Sequence, residues 1–308
     1  MIFNDALQAV GHTPVIRLRR MTSDNDADVL VKYEGVNMGG SIKTRTALYI
    51  LDQAEKEGLI NPDSIIVEPS SGNQGIGIAL VGAVRGYRVI IVMPDSVSEE
   101  RRKLVRHLGA EVILVEDRGD IGECIENCLK TAKRIAAENP KVYIPQQFTN
   151  PNNPEIHRKQ TAREILDQVD KKIDGFCSGI GTGGTISGVG EILKEHNPNI
   201  LIWAVEPQNA AILSGGVIGS HIQMGIGDGL IPENLNTAIY DDIAVITDEE
   251  AVGAARELAR KEGLICGISS GTNVAAALKM AKKLGHGKTV LTILPDTAER
   301  YFSTALFE

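Results

Sequence analysis

The sequence predicts an α/β fold of two domains, each a mainly parallel twisted sheet flanked by helices. Two observations carry that expectation. Short β-branched runs alternate with longer helical patterns along the 308 residues, as in proteins built on parallel sheets. The apolar runs also lack polar alternation, as expected of strands covered on both faces.

In chain order, a helical pattern follows Lys43 (TALYILDQAEKEG) and closes on glycine. Strands follow in SIIVEP from Ser64, YRVIIVMP from Tyr87 and AEVILVE from Ala110, with a helix IGIALVGAVRG after Gly75. The Pro- and Asn-rich stretch PQQFTNPNNP, Pro145 to Pro154, is the expected boundary between two α/β halves. Beyond it, DGFCSG from Asp174, ILIWAVEP from Ile200 and KTVLTILPD from Lys288 read as strands. The glycine-rich patch from Leu213 to Leu235 has little regular pattern, and a segment of that kind is expected to be functional.

A net charge of -8 disfavours a nucleic-acid surface. No apolar run approaches the roughly 18 residues of a membrane span, and MIFNDALQAVG has no signal-peptide pattern. The four cysteines (Cys124, Cys128, Cys177, Cys266) read as buried small apolar residues in a reducing, cytoplasmic compartment. The histidines have no metal-ligand spacing, so no structural metal is expected.

Three glycine loops concentrate the chemistry. Gly179-Ile180-Gly181-Thr182-Gly183-Gly184 follows a strand and opens a helix, which suits a phosphate. With Glu206 ending the next strand, it also satisfies a dinucleotide fingerprint, so an NAD-dependent oxidoreductase is one reading. The second loop, Glu68 to Gly75, offers hydroxyls, amides and backbone N–H groups suited to a carboxylate, or it is an ordinary capped turn. The third, GGSIKTRT, fails as a P-loop because Ser41 and Ile42 separate Gly40 from Lys43. A lysine desolvated at a helix start loses its proton more easily and can form an imine with an aldehyde.

GHTPVIRL, GGSIKTR, EPSSGNQG, QQFTNPNNPEIH, GIGTGGTISGV, GIGDGLIPENL, GISSGT and LPDTAERYFSTALF occur in that order. Together they resemble, essentially end to end, the cysteine synthase and cystathionine β-synthase family of fold-type II pyridoxal-phosphate enzymes. The resemblance implies a tryptophan synthase β-like fold, with a smaller domain over residues 37–150. A larger, phosphate-binding domain would comprise residues 1–36 and 151–308. It further implies pyridoxal 5'-phosphate as cofactor, a small amino-acid substrate and a homodimer.

Carried over residue by residue, Lys43 would hold the cofactor and move the α-proton, and Asn73 would bond the ring hydroxyl. Gly181, Thr182, Gly183, Gly184 and Thr185 would grip the phosphate, and Ser269 would face the pyridine nitrogen. Ser70, Ser71, Gly72, Gln74, Gln147 and Gly227 would lie against the substrate. The implied activity is β-replacement on a 3-substituted L-alanine through an aminoacrylate, by default O-acetylserine and sulfide to cysteine.

Three positions depart from the sulfhydrylase pattern: Thr44 after the lysine, Gln74 in the carboxylate loop and Asp228 in GIGDG. A carboxylate near the β-carbon suits a nucleophile that arrives protonated. Asp228 as general base therefore raises a second reaction, cysteine and water to serine and hydrogen sulfide. A cofactor-free binding module is the non-enzymatic reading.

Overall fold

Two parallel sheets form where the apolar runs lie, and both send strand ends toward one cleft. The computed structural model describes residues 2–70, 72–119, 121–216 and 218–308. The strands are β1 (Val15–Arg17), β2 (Asp28–Tyr33), β3 (Ile65–Pro69), β4 (Arg88–Pro94) and β5 (Glu111–Val115). They continue with β6 (Val142–Tyr143), β7 (Gly175–Gly179), β8 (Leu201–Pro207), β9 (Asp242–Ile246) and β10 (Thr289–Leu294). The helices are α1 (Lys43–Lys56), α2 (Asn73–Arg85), α3 (Glu99–His107), α4 (Ile121–Glu138) and α5 (Asn152–Ile156). They continue with α6 (Ala162–Gln168), α7 (Gly184–His196), α8 (Asp248–Glu257) and α9 (Ile268–Leu284).

The larger sheet has the order β1-β2-β10-β7-β8-β9 and the smaller β5-β4-β3-β6. All ladders are parallel except the edge pair β1–β2, which is antiparallel. Strands β2 and β9 escaped the sequence reading, because DVLVKY carries a charge near each end and DIAVI starts on one; the short β1 and β6 escaped it too.

Two-sided burial explains the unbroken apolar runs. In β10, Val290 packs into one cluster with Val29, Val205 and Ala277, while the next residue, Leu291, joins Phe176 and Ile202 on the other face. In the small sheet, Ile66 and Ile91 face one cluster, and Val67 and Val92 the other. Each such fully buried aliphatic side chain contributes roughly 1.5–3 kcal/mol.

Helix ends follow local chemistry. Helix α2 closes on Gly86, whose φ of 79° suits the left-handed cap. Helix α8 opens with a capping box between Thr247 and Glu250. The four cysteines are buried free thiols. No described helix is long and apolar enough to cross a membrane. Among the described residues, no group of three or more His, Cys, Asp or Glu could hold a metal ion.

Candidate active site

The carboxyl ends of parallel strands β2, β3 and β7 deliver the three loops to one place, where ligands of open α/β sheets bind. Lys43 is the first residue of α1, and its Nζ donates to Thr182 Oγ1 at 3.2 Å. Burial lowers the Lys43 ammonium from 10.5 to about 8, against the pull of Asp228 and Glu68. The amine is therefore far closer to neutral at pH 7 than a surface lysine.

Around it, Gly181, Thr182, Gly183 and Thr185 line the cavity at the start of α7, whose first N–H groups have no intrahelical partner. The loop is packed so that only glycine fits. A Cβ on Gly183, which has φ 77°, would lie 2.7 Å from Leu235, and one on Gly184 would lie 2.1 Å from Asn153 Oδ1. Asn153 Nδ2 donates to Thr182 Oγ1 at 2.8 Å, fixing the threonine toward the lysine. Beneath the loop, His157 is kept uncharged by burial and by the neighbouring Arg45, Lys43 and Arg158. A ring nitrogen lies 3.4 Å from Thr185 Oγ1.

The β3 loop divides its side chains between fold and cavity. Ser70 Oγ accepts from the N–H groups of Gly72 and Gly75, capping the entry into α2. Gln74, only 1% exposed, leaves both amide atoms without a partner, although buried amides are normally satisfied. Gly72, Asn73, Gln147, Asp228 and Ser269 line the same cavity. Ser71 lies outside the described residues. Gly184 and Gly227 sit behind the lining; the Gly227 N–H donates to Ile180 O, and its carbonyl contacts His221 Nε2 at 3.0 Å.

Two expectations meet unforeseen partners. The Asn73 carboxamide is held on both sides, donating to Asp296 Oδ2 at 2.7 Å and accepting from Arg300. Thr44 turns away from the cavity and donates to Met38 O, so its departure from the family pattern serves the turn before α1. Glu206, the candidate ribose-binding acid, is buried and accepts from Leu213 N, Ser214 N and Ser214 Oγ. It anchors the loop after β8, which removes the support for a dinucleotide site.

Sequence reasoning missed Glu68 and Arg101. Glu68 is fully buried at the end of β3; Oε2 accepts from Gln146 N, and Oε1 has no partner. Burial pushes its carboxyl from 4.5 to about 8, outweighing bonds from Gln147 and Gln146 and the pull of Lys43. Its place at the head of EPSSGNQG was the available signal. Burial likewise pushes the Asp228 carboxyl up, opposed by Lys43 and His221.

The arrangement joins a weakly basic amine to an anion cradle and unsatisfied amides. The chain matches the pyridoxal-phosphate dependent enzyme family over residues 6–296. A cysteine synthase of Staphylococcus aureus is 48% identical over 301 residues, covering 97% of this chain and 96% of that protein. An O-ureido-L-serine synthase structure superposes with a TM-score of 0.94 at 41% identity, covering 100% of this chain and 96% of that one. A hydrogen sulfide-producing enzyme of Fusobacterium nucleatum does so with a TM-score of 0.92 at 40% identity, covering 97% of this chain and 100% of that one. The chain belongs to the pyridoxal-phosphate-dependent enzyme family.

Proposed function

We propose that this enzyme replaces the β-substituent of a three-carbon L-amino acid, by default converting O-acetylserine and sulfide to cysteine. The observation that carries the proposal is Lys43, half-buried beside Thr182 of the anion cradle with a partly neutral amine. The residues fit pyridoxal phosphate. The α7 N-terminus with Gly181, Thr182, Gly183, Gly184 and Thr185 would hold its phosphate, Lys43 its aldehyde carbon, Ser269 its ring nitrogen and Asn73 its hydroxyl. When bound, the cofactor supplies an electron-withdrawing ring that stabilises negative charge at the substrate's α-carbon.

The side chains divide the remaining work. Gln74, Gln147 and the loop from Ser70 to Gly72 hold the α-carboxylate; the unsatisfied Gln74 amide supports that role. The Lys43 amine, when free, accepts the α-proton. A serine hydroxyl at position 269 favours loss of a β-substituent over transamination, because it does not demand a protonated ring.

A second reading rests on Asp228, which shares the Lys43 cavity and carries a carboxyl raised by burial. Such a group takes a proton from an incoming water more readily than a surface aspartate. Cysteine would then yield serine and hydrogen sulfide. The similarity to a hydrogen sulfide-producing enzyme supports this alternative. Product analysis decides between the two. Cysteine from O-acetylserine with sulfide supports the first; serine with sulfide from cysteine alone supports the second; neither product overturns both. A homodimer in the cytoplasm belongs to the same proposal, and sedimentation tests the assembly.

A further inference from the structure

Arg101 is a buried cation that nothing in the mechanism uses. It sits on α3, is 3% exposed and lines the Lys43 cavity. Its surroundings are strange for a guanidinium. Nη1 points at the Met224 sulfur at 2.8 Å, the group stacks on the Tyr301 ring at 4.5 Å, and Nε has no partner. Among the described residues it forms no ion pair. A buried arginine with donors unspent is costly unless an anion completes it.

The geometry favours a ligand as that anion. The Arg101 side chain crosses the Gly72 loop so closely that a Cβ on Gly72 would lie 2.4 Å from Arg101 Cδ. The same side chain borders an adjoining cavity with His221 and Met224. Asp117 and Asp228 border it too, but Asp117 accepts from Ser96 and from Gly119 N. Arg101, Met224 and Lys43 line one cavity, and the planar fork of a guanidinium matches carboxylate and phosphate oxygens.

We propose that Arg101 binds an oxyanion of the amino-acid substrate, either the α-carboxylate or an oxyanion on its side chain. The proposal leans on the β-replacement reading only for the substrate being an amino acid.

The test uses purified holoenzyme and reads binding through the cofactor's absorption, without turnover. L-Alanine carries only the α-carboxylate; O-phospho-L-serine adds a side-chain oxyanion. Arg101→Met keeps a stem over Gly72 and removes the charge. The expected result is a loss of about 10- to 100-fold in affinity. Equal loss for both ligands assigns the α-carboxylate, and loss confined to O-phospho-L-serine assigns the side-chain group. Parent-like affinity for both, with or without a change in Tm, overturns the proposal. If Arg101→Met does not retain cofactor, Arg101→Lys is read the same way, since it keeps the charge but loses the fork. A drop of about 3- to 10-fold is then expected, and no drop overturns the proposal. Failure of β-replacement itself would appear only in product analysis, so the two outcomes stay distinct.

Discussion

Lys43 and Arg45 stand two residues apart on one helix and receive opposite treatment. Arg45 is 1% exposed and fully spent. It donates twice to Glu34, twice to Glu164 at 2.7 and 2.8 Å, and once to Thr13. Lys32 completes the cluster through Glu164 Oε2 and Thr13 O. Although burial pushes Glu164 up, Arg45 and Lys32 outweigh it and hold the carboxyl at about 2. Lys43, by contrast, makes one hydrogen bond, to a hydroxyl, and its neighbours Glu68 and Asp228 are raised by burial. The difference separates two uses of buried charge. A paired cluster fixes the helix between residues far apart in sequence, whereas burial shifts the proton affinities of unpaired groups toward the range where chemistry needs them.

The largest expected effect comes from removing the unpaired lysine. Lys43→Ala should lower turnover by at least about 10⁴-fold and abolish the absorption of covalently held cofactor. Its stability should change little, because no ion pair is broken. In cofactor-free protein, labelling of Lys43 by a small aldehyde should rise with pH through about 8, not through the ordinary 10.5. A midpoint near that of surface lysines would erase the contrast with Arg45.

Breaking the paired side should do the reverse. Arg45→Leu strands Glu34 without its cation and leaves Glu164 with Lys32 alone, costing about 3–5 kcal/mol. Denaturant midpoints check this; a variant as stable as the parent would show that the cluster is not what holds α1. Cofactor absorption should survive wherever the variant remains folded.

Asp228→Asn tests the intermediate case. It removes the proton acceptor while keeping size, and should slow sulfide release from cysteine by about 10- to 100-fold. Cysteine formation from O-acetylserine and sulfide should fall less. Equal losses in both reactions would make Asp228 a contributor to loop packing alone.

Legibility follows the same division. Strands β3, β4, β5, β7, β8 and β10 and the three glycine loops could be read because their signals are local: β-branched runs, and glycines near helix starts. The Arg45 cluster could not, since Lys32 and Glu164 lie 132 residues apart. Arg101 sits in EERRK, which reads as a solvated helix face, and contacts with Tyr301, Met224 and the Gly72 loop, distant in sequence, bury it. Asn73 was identified by resemblance, but its hold by Asp296 and Arg300 depends on the far end of the chain.

The smallest effect, and the sharpest use of pH, belongs to Glu68. Its carboxyl keeps its proton up to about 8 in the folded chain, whereas an unfolded glutamate ionises near 4.5. The unfolded state thus binds fewer protons between those values, and stability falls as pH rises across the window. The contribution of the neutral group is fully present below about 4.5 and lost by about 8. Glu68→Gln retains the shape and cannot ionise. At pH 5 it should match the parent to within about 1 kcal/mol, and its relative stability should climb steadily toward pH 8. Urea midpoints across that range read the slope. Parallel profiles for parent and variant would mean that Glu68 is ionised inside the fold, and would put it with the paired charges around Arg45.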